Sequence, residues 1–264
     1  MNAIRLISLY SGSRGNAFLV EAPTGRILID AGRSAKKLSA ALAEIGIEPD
    51  ALDAILVTHE HNDHVSALPV FLKHHPLPVH LPRACAYKLE CDPCAASCLL
   101  PHAPISTKMI AGMTIRSFPT PHDSRGSVGY RIEIPTDGGI FRFGYATDIG
   151  YVTKEIEDAL IGCDAVVLES NHDPEMLEAG PYPYDLKLRI ASRRGHLSNP
   201  DCAEFASRLC KSGTKALMLA HLSEENNTPD TAFDACFSSI ADDSVTLRVA
   251  APDHITLFLS EVLS

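Results

Sequence analysis

Apolar and polar positions along the chain repeat with two periods. Short apolar runs rich in Ile, Leu and Val read as strands: Ile4–Leu9, Ala17–Glu21, Arg26–Asp30, Ala54–Val57 and Pro78–Leu81 in the first half. The second half repeats this at Met113–Phe118, Val128–Ile134, Ile140–Thr147, Ala165–Glu169, Ala216–Ala220, Val245–Ala250 and Ile255–Leu259. Turn residues join two pairs into hairpins, Pro23 to Gly25 in one and Asp137 to Gly139 in the other. Between the runs the period changes to that of a helix. Leu38, Leu42 and Ile45 mark a helix over Ser34–Ile45 that stops at Gly46. Further helices are expected at Val65–Leu72, Ala84–Leu89, Thr153–Leu160, Pro200–Leu209 and Thr228–Ser239. A Pro-, Tyr- and Gly-rich arm from Asn171 to Asp185 follows neither period. Strands and helices that alternate in each half, with hairpins at the start and middle, predict an α/β protein with mixed sheets. No linker and no clean repeat interrupts the pattern, so one domain is expected over residues 1–264.

Length agrees with that expectation, since 264 residues suffice for one large core. No apolar run reaches the length of a membrane span, and the start of the chain lacks a basic stretch followed by an apolar one. The expected compartment is the cytoplasm. A net charge of −10 argues against a protein that coats nucleic acid, which would be basic, but leaves room for an enzyme with a local basic patch. Eight cysteines without an export signal read as thiols. Cys85, Cys91, Cys94 and Cys98 are bunched, with Cys91 and Cys94 at the spacing of a structural zinc or iron–sulfur ligand pair. No second such pair follows, so free thiols are the expectation.

The polar positions that follow the strands carry the chemistry. Directly after Ala54–Val57, the segment His59–His64 holds three imidazoles and two carboxylates in six residues. These donors suit zinc, manganese, iron or nickel, and a loop at the C-terminal end of a buried strand is where open α/β sheets place their ligands. Side chains alternate along an extended loop, so His59 and His61 can share one metal, while Asp63 and His64 lie past the turn and can face a second. Three more residues end strands: His122, Asp148 and His221. Asp30 ends a buried strand and is expected to hold the His loop in place. Asn16 sits in a glycine-rich turn that is suited either to crowding that loop or simply to reversing the chain. His74, His75, His80, His102 and His254 read as ordinary core or surface histidines.

These residues together resemble the metallo-β-lactamase-fold hydrolases, and most closely the YycJ/WalJ-type branch, which is related to tRNase Z and PhnP-type phosphodiesterases. The finer resemblance lies in SGSRGNAFLVE, LIDAG, ATDIGYV, LESNHDPEML, RGHLSN and HLSEENN. It implies a four-layer αβ/βα sandwich of two mixed β-sheets with a dinuclear site at one sheet edge. By the same resemblance, His59, His61 and His122 hold one divalent metal, and Asp63, His64 and His221 the other. Asp148 bridges the two. Asp63, Glu169 and His196 are the candidate catalytic residues, and Glu169 and His196 match in placement a pair that protonates the leaving oxygen. Asn171 and His172 belong to the supporting or substrate-binding set. Two such metals acidify a shared water and clamp the attacked ester.

Lys187, Arg189, Arg193 and Arg194 place four cations between Glu169 and His196. They suit phosphate contacts, with Tyr182 and Tyr184 available to stack on a base, though a solvated helix face would look the same. Members of the resembled branch act on DNA from a 5′ end, which makes a nuclease on a nucleic-acid or other phosphodiester substrate the expected activity. The rivals are a cyclic-phosphodiester hydrolase, a thioesterase of the glyoxalase II type, and a metal-stabilised scaffold or sensor.

Overall fold

A computed structural model describes residues 3–260. Its strands are β1 (Arg5–Tyr10), β2 (Ala17–Ala22), β3 (Gly25–Ile29), β4 (Ala54–Leu56), β5 (Val79–Pro82), β6 (Leu99–His102) and β7 (Ser106–Ile110). They continue as β8 (Met113–Pro119), β9 (Val128–Thr136), β10 (Gly139–Ala146), β11 (Ala165–Glu169), β12 (Ala216–Ala220), β13 (Thr246–Val249) and β14 (Thr256–Leu259). Two seven-stranded sheets result, ordered β14-β1-β2-β3-β4-β5-β6 and β13-β12-β11-β10-β9-β8-β7. Each is antiparallel at one end and parallel at the other: β14 to β3 and β7 to β10 run antiparallel, β3 to β6 and β10 to β13 parallel.

Three apolar clusters explain the layering. Leu6, Phe18, Ile27 and Leu56 of the first sheet meet Ile132, Phe143, Val167 and Met218 of the second, filling the space between the sheets. On the outer face of the first sheet, Leu19, Leu28 and Ile55 pack with Leu38 and Leu42 of helix Ala35–Glu44 and Phe71 of helix Leu68–His74. On the outer face of the second, Val166, Leu217 and Leu219 pack with helices Lys154–Leu160, Asn199–Lys211 and Pro229–Ile240. Each fully buried Leu, Ile or Phe contributes about 1.5–3 kcal/mol of burial. The order helix, sheet, sheet, helix is the expected four-layer sandwich.

Local chemistry sets the helix starts. Ser34, Thr153, Ser198 and Thr228 each accept a backbone N–H of the first turn and so sit just outside their helices. The stop at Gly46 is real, with φ +76°, a left-handed conformation that glycine tolerates. Other boundaries differ from the expectation. The helix expected at Val65–Leu72 divides into Asn62–Val65 and Leu68–His74, because Pro69 begins a new helix. Ala84–Leu89 is a short 3₁₀ turn followed by Tyr87–Glu90. The arm after Asn171 contains two helices, Pro174–Ala179 and Tyr184–Ile190. β6 and β7, which the apolar pattern did not suggest, each form one edge of a sheet. No disulfide joins any of the eight cysteines. No helix among the described residues is long and apolar enough to cross a membrane.

Candidate metal centre

The parallel strands of both sheets end at one edge, and the polar cluster lies there. Backbone strain marks it: Asp30 after β3, Asp148 after β10 and His221 after β12 all adopt left-handed conformations, with φ of 60°, 56° and 57°. Such residues cost about 1–3 kcal/mol each and persist where the surroundings hold them. Here Asp148 and His221 enter the shared space, while Asp30 lies beneath it against Thr58 and His64.

The His loop is held from below. Asp30 is fully buried and accepts hydrogen bonds from the Thr58 amide at 2.8 Å and from His64 Nδ1 at 2.8 Å. With Nδ1 donating to a carboxylate, His64 presents Nε2 to the site. Asn16 closes the loop from the side, its amide donating to the Asp63 carbonyl at 2.7 Å and its Nδ2 lying 3.1 Å from His64 Nε2. Gly32 makes that approach possible, since a Cβ there would sit 2.0 Å from the Asp63 carbonyl oxygen. Glu60, the loop's other carboxylate, turns away. It accepts from Cys85 Sγ at 2.9 Å and from the Arg125 amide at 3.0 Å.

His122 and His221 are oriented in a similar way. His122 Nδ1 donates to the Gly195 carbonyl at 3.1 Å. His221 Nδ1 lies 3.2 Å from Glu169 Oε1, and Asn171 Nδ2 donates to the His221 carbonyl at 2.8 Å. Four sets of donor atoms then lie within 4.8 Å of one another: His59, His61 and His122; Asp63, His64 and His221; His59, His64 and Asp148; and Asp148, Glu169, His196 and His221. Asp148 stands between the histidines of both halves, 3.3 Å from His64 Nε2, 3.5 Å from His221 Nε2 and 3.7 Å from His122 Nε2.

The residues fit divalent cations on two observations. His59 Nε2, His221 Nε2, Asp148 Oδ2 and Asp123 Oδ1 are buried without a hydrogen-bond partner. Leaving such atoms unsatisfied costs about 1–3 kcal/mol each, and imidazole and carboxylate donors are what zinc, manganese and iron accept. The second observation is electrostatic. Burial pulls the His64 imidazole down, yet Asp148, Asp30 and Asp63 outweigh it and hold His64 well above its ordinary value. Burial works to raise the Asp63 carboxyl, but His64 and His221 outweigh it and leave it lowered. The carboxylates therefore demand positive charge at this spot. His59 differs: burial first, then the neighbouring His64, His122 and His61, keep it well below its ordinary value, the neutral form that a metal would need.

Glu169 is fully buried and accepts from the Ile149 amide at 2.7 Å, the Leu197 amide at 3.2 Å and His196 Nδ1 at 2.7 Å. Burial opposes its ionisation, but His196 and His221 more than compensate, so its pKa is lowered. An ionised Glu169 can only accept, which places a proton on His196 Nδ1 and leaves Nε2 facing outward. A cavity of about 230 Å³ opens there, lined by Ser13, Asp123, Tyr182, Arg189, His196 and Ser223 among others.

The four cations after the arm do not act as one patch. Arg189 pairs with Asp123 at the cavity wall. Arg194 donates to the carbonyls of His122 at 3.0 Å and Ser124 at 3.3 Å, which makes it a brace for the His122 loop rather than a free phosphate contact. Lys187 donates to the Glu178 carbonyl on the arm. Arg193 stacks on Tyr151, 3.9 Å from the ring centroid. Tyr182 lines the cavity, whereas Tyr184 is largely exposed. His172 joins none of the donor sets; its backbone bridges to Ser198 and its Nδ1 lacks a partner. Asp123 is the residue that the sequence pattern missed. It lies 3.3 Å from His122 Nε2, and its one signal was adjacency to a strand-end histidine.

Two seven-stranded sheets that converge on an imidazole–carboxylate cluster define a metal-binding α/β sandwich. The chain belongs to the beta-lactamase superfamily, whose domain model matches residues 25–222. Two relatives are similar over most of their length. The exodeoxyribonuclease WalJ of Streptococcus pneumoniae is 35% identical over 237 residues, covering 88% of this chain and 87% of its own. The exodeoxyribonuclease YycJ of Bacillus anthracis is 34% identical over 233 residues, covering 85% and 84%. The metallo-beta-lactamase fold protein YhfI from Bacillus subtilis superposes with a TM-score of 0.70 at 17% identity, over 96% of this chain and 99% of its own, a likeness of fold.

Proposed function

We propose that the protein is a metal-dependent phosphodiesterase that shortens DNA from a 5′ end. The observation that carries this reading is the convergence of two histidine-rich donor sets on Asp148 beside a histidine oriented by a buried glutamate. The similarity to exodeoxyribonucleases over 88% of the chain supports the choice of bond. His59, His61 and His122 would hold one ion and Asp63, His64 and His221 the other, with Asp148 shared; zinc or manganese suits these donors best. Bound there, divalent ions supply Lewis acidity and a nucleophilic water at neutral pH.

The protein's own groups do the rest. Arg189, fixed by Asp123, offers its remaining N–H groups to a phosphate oxygen in the cavity. His196 in its doubly protonated form is the proton donor for the leaving oxygen: Nε2–H gives up the proton and the ring is left as the neutral Nδ1–H imidazole. Glu169, accepting from Nδ1, aims the ring and offsets the imidazolium charge. Asp30, Asn16 and Asn171 keep the ligands aimed. The test is metal-loaded protein offered 5′-phosphorylated single- and double-stranded DNA, RNA, a cyclic dinucleotide, a thioester and a cephalosporin. The reading expects the highest kcat/KM on 5′-phosphorylated DNA. Faster turnover of the thioester or the cyclic dinucleotide would replace it with one of its rivals.

A further inference from the structure

The loop 122–123 and the turn 193–196 form a wall with two sides. Asp123, Gly195 and His196 face the cavity described above, whereas His122, Arg193 and Arg194 face a separate groove of about 430 Å³. Pro104, Pro119 and Pro121 stiffen this groove, and Ser124, Arg125 and Tyr151 complete its working surface. Among the described residues no acidic side chain lines it, although the chain as a whole carries a net charge of −10.

Several arginines elsewhere are taken up by carboxylates. Arg5 and Arg26 pair with Glu21, Arg131 and Arg142 with Glu133, and Arg208 with Glu157. Arg125 and Arg193 are exposed and form no ion pair among the described residues. Each lies flat on a ring instead, Arg125 at 4.0 Å over Tyr87 and Arg193 at 3.9 Å over Tyr151. A stacked guanidinium keeps its in-plane N–H groups free for phosphate oxygens, and its outer face accepts a base. The backbone that carries each is also anchored. The Arg125 amide is anchored on Glu60, next to His59 and His61, and Arg194 ties the 122–124 loop to the turn that carries Arg193.

We propose that this groove binds a single strand of nucleic acid, with Arg125 and Arg193 on successive phosphates and their tyrosine-backed faces against the bases. The strand would run from the groove past His122 to the cavity, so the end being processed lies on one side of the wall and the rest of the strand on the other. This placement rests on the phosphodiesterase reading, and the backbone-and-stacking chemistry does not depend on base sequence.

The test separates binding from cleavage. Binding of a 5′-phosphorylated single-stranded 20-mer is measured in chelator across a salt series, for the wild type and for Arg125→Gln/Arg193→Gln. Two lost phosphate contacts lower the log–log salt slope by about 1.4, and affinity is expected to fall at least about tenfold. Arg125→Lys/Arg193→Lys should keep the slope. An unchanged slope in the Gln variant overturns the groove assignment even if the wild type cleaves DNA. A reduced slope supports it even if no cleavage is seen, in which case the phosphodiesterase reading alone fails. The proposal expects the same slope change with RNA of equal length, because neither contact reads the sugar.

Discussion

The two sheets share one plan but deliver the polar groups of the site differently. The first supplies His59, His61, Asp63 and His64 from one loop and the turn of helix after it, all following β4. The second supplies His122, Asp148, Glu169 and His221 one at a time, from the ends of β8, β10, β11 and β12 or just beyond them. The first group is held by hydrogen bonds from below, through Asp30 and Thr58. In the second, Asp148 and His221 are aimed by left-handed backbone and by contacts with one another, with Glu169 touching both His196 and His221. A set of donor groups clustered in sequence needs only a local scaffold, whereas a dispersed set needs the whole parallel sheet in register.

Breaking the clustered half should give the largest effect. Asp63→Ala removes a side chain that lies 3.4 Å from His64 Nε2 and 3.5 Å from His221 Nε2, so it joins the two halves. Hydrolysis of any diester substrate is expected to fall by roughly 10³-fold or more, the scale at which charge-stabilising groups act. The far-UV circular dichroism should stay unchanged. Full activity in this variant would detach the loop from the chemistry.

A change in the dispersed half should be smaller and more selective. His196→Ala is expected to slow DNA cleavage by about 10²-fold, within the range of general acid catalysis. Hydrolysis of a nitrophenyl phosphodiester, whose leaving group needs no proton, should slow far less. Equal losses on both substrates would reduce His196 to a structural neighbour of Glu169.

The same contrast explains what could be read in the chain. The His59–His64 segment announces itself because its donors are adjacent, and the buried strands announce themselves by unbroken apolar runs such as Ala216–Ala220. β6 and β7 gave no such signal. Both are edge strands with largely exposed side chains, and Pro101 and Pro104 interrupt the apolar pattern around them. The four-layer order came only from resemblance, since β14 returns from the end of the chain to pair with β1. Tyr87 and Tyr151 were invisible for another reason. Each acquires meaning from an arginine 38 or 42 residues away, a separation that no local pattern encodes.

Counting bound metal tests the centre most directly. Elemental analysis after metal loading and desalting should find about two divalent ions per chain in the wild type. His59→Ala/His61→Ala should retain about one of them, because the set of Asp63, His64, His221 and Asp148 remains intact. A wild type that is fully active with a single ion, or a double variant that still binds two, would contradict the account.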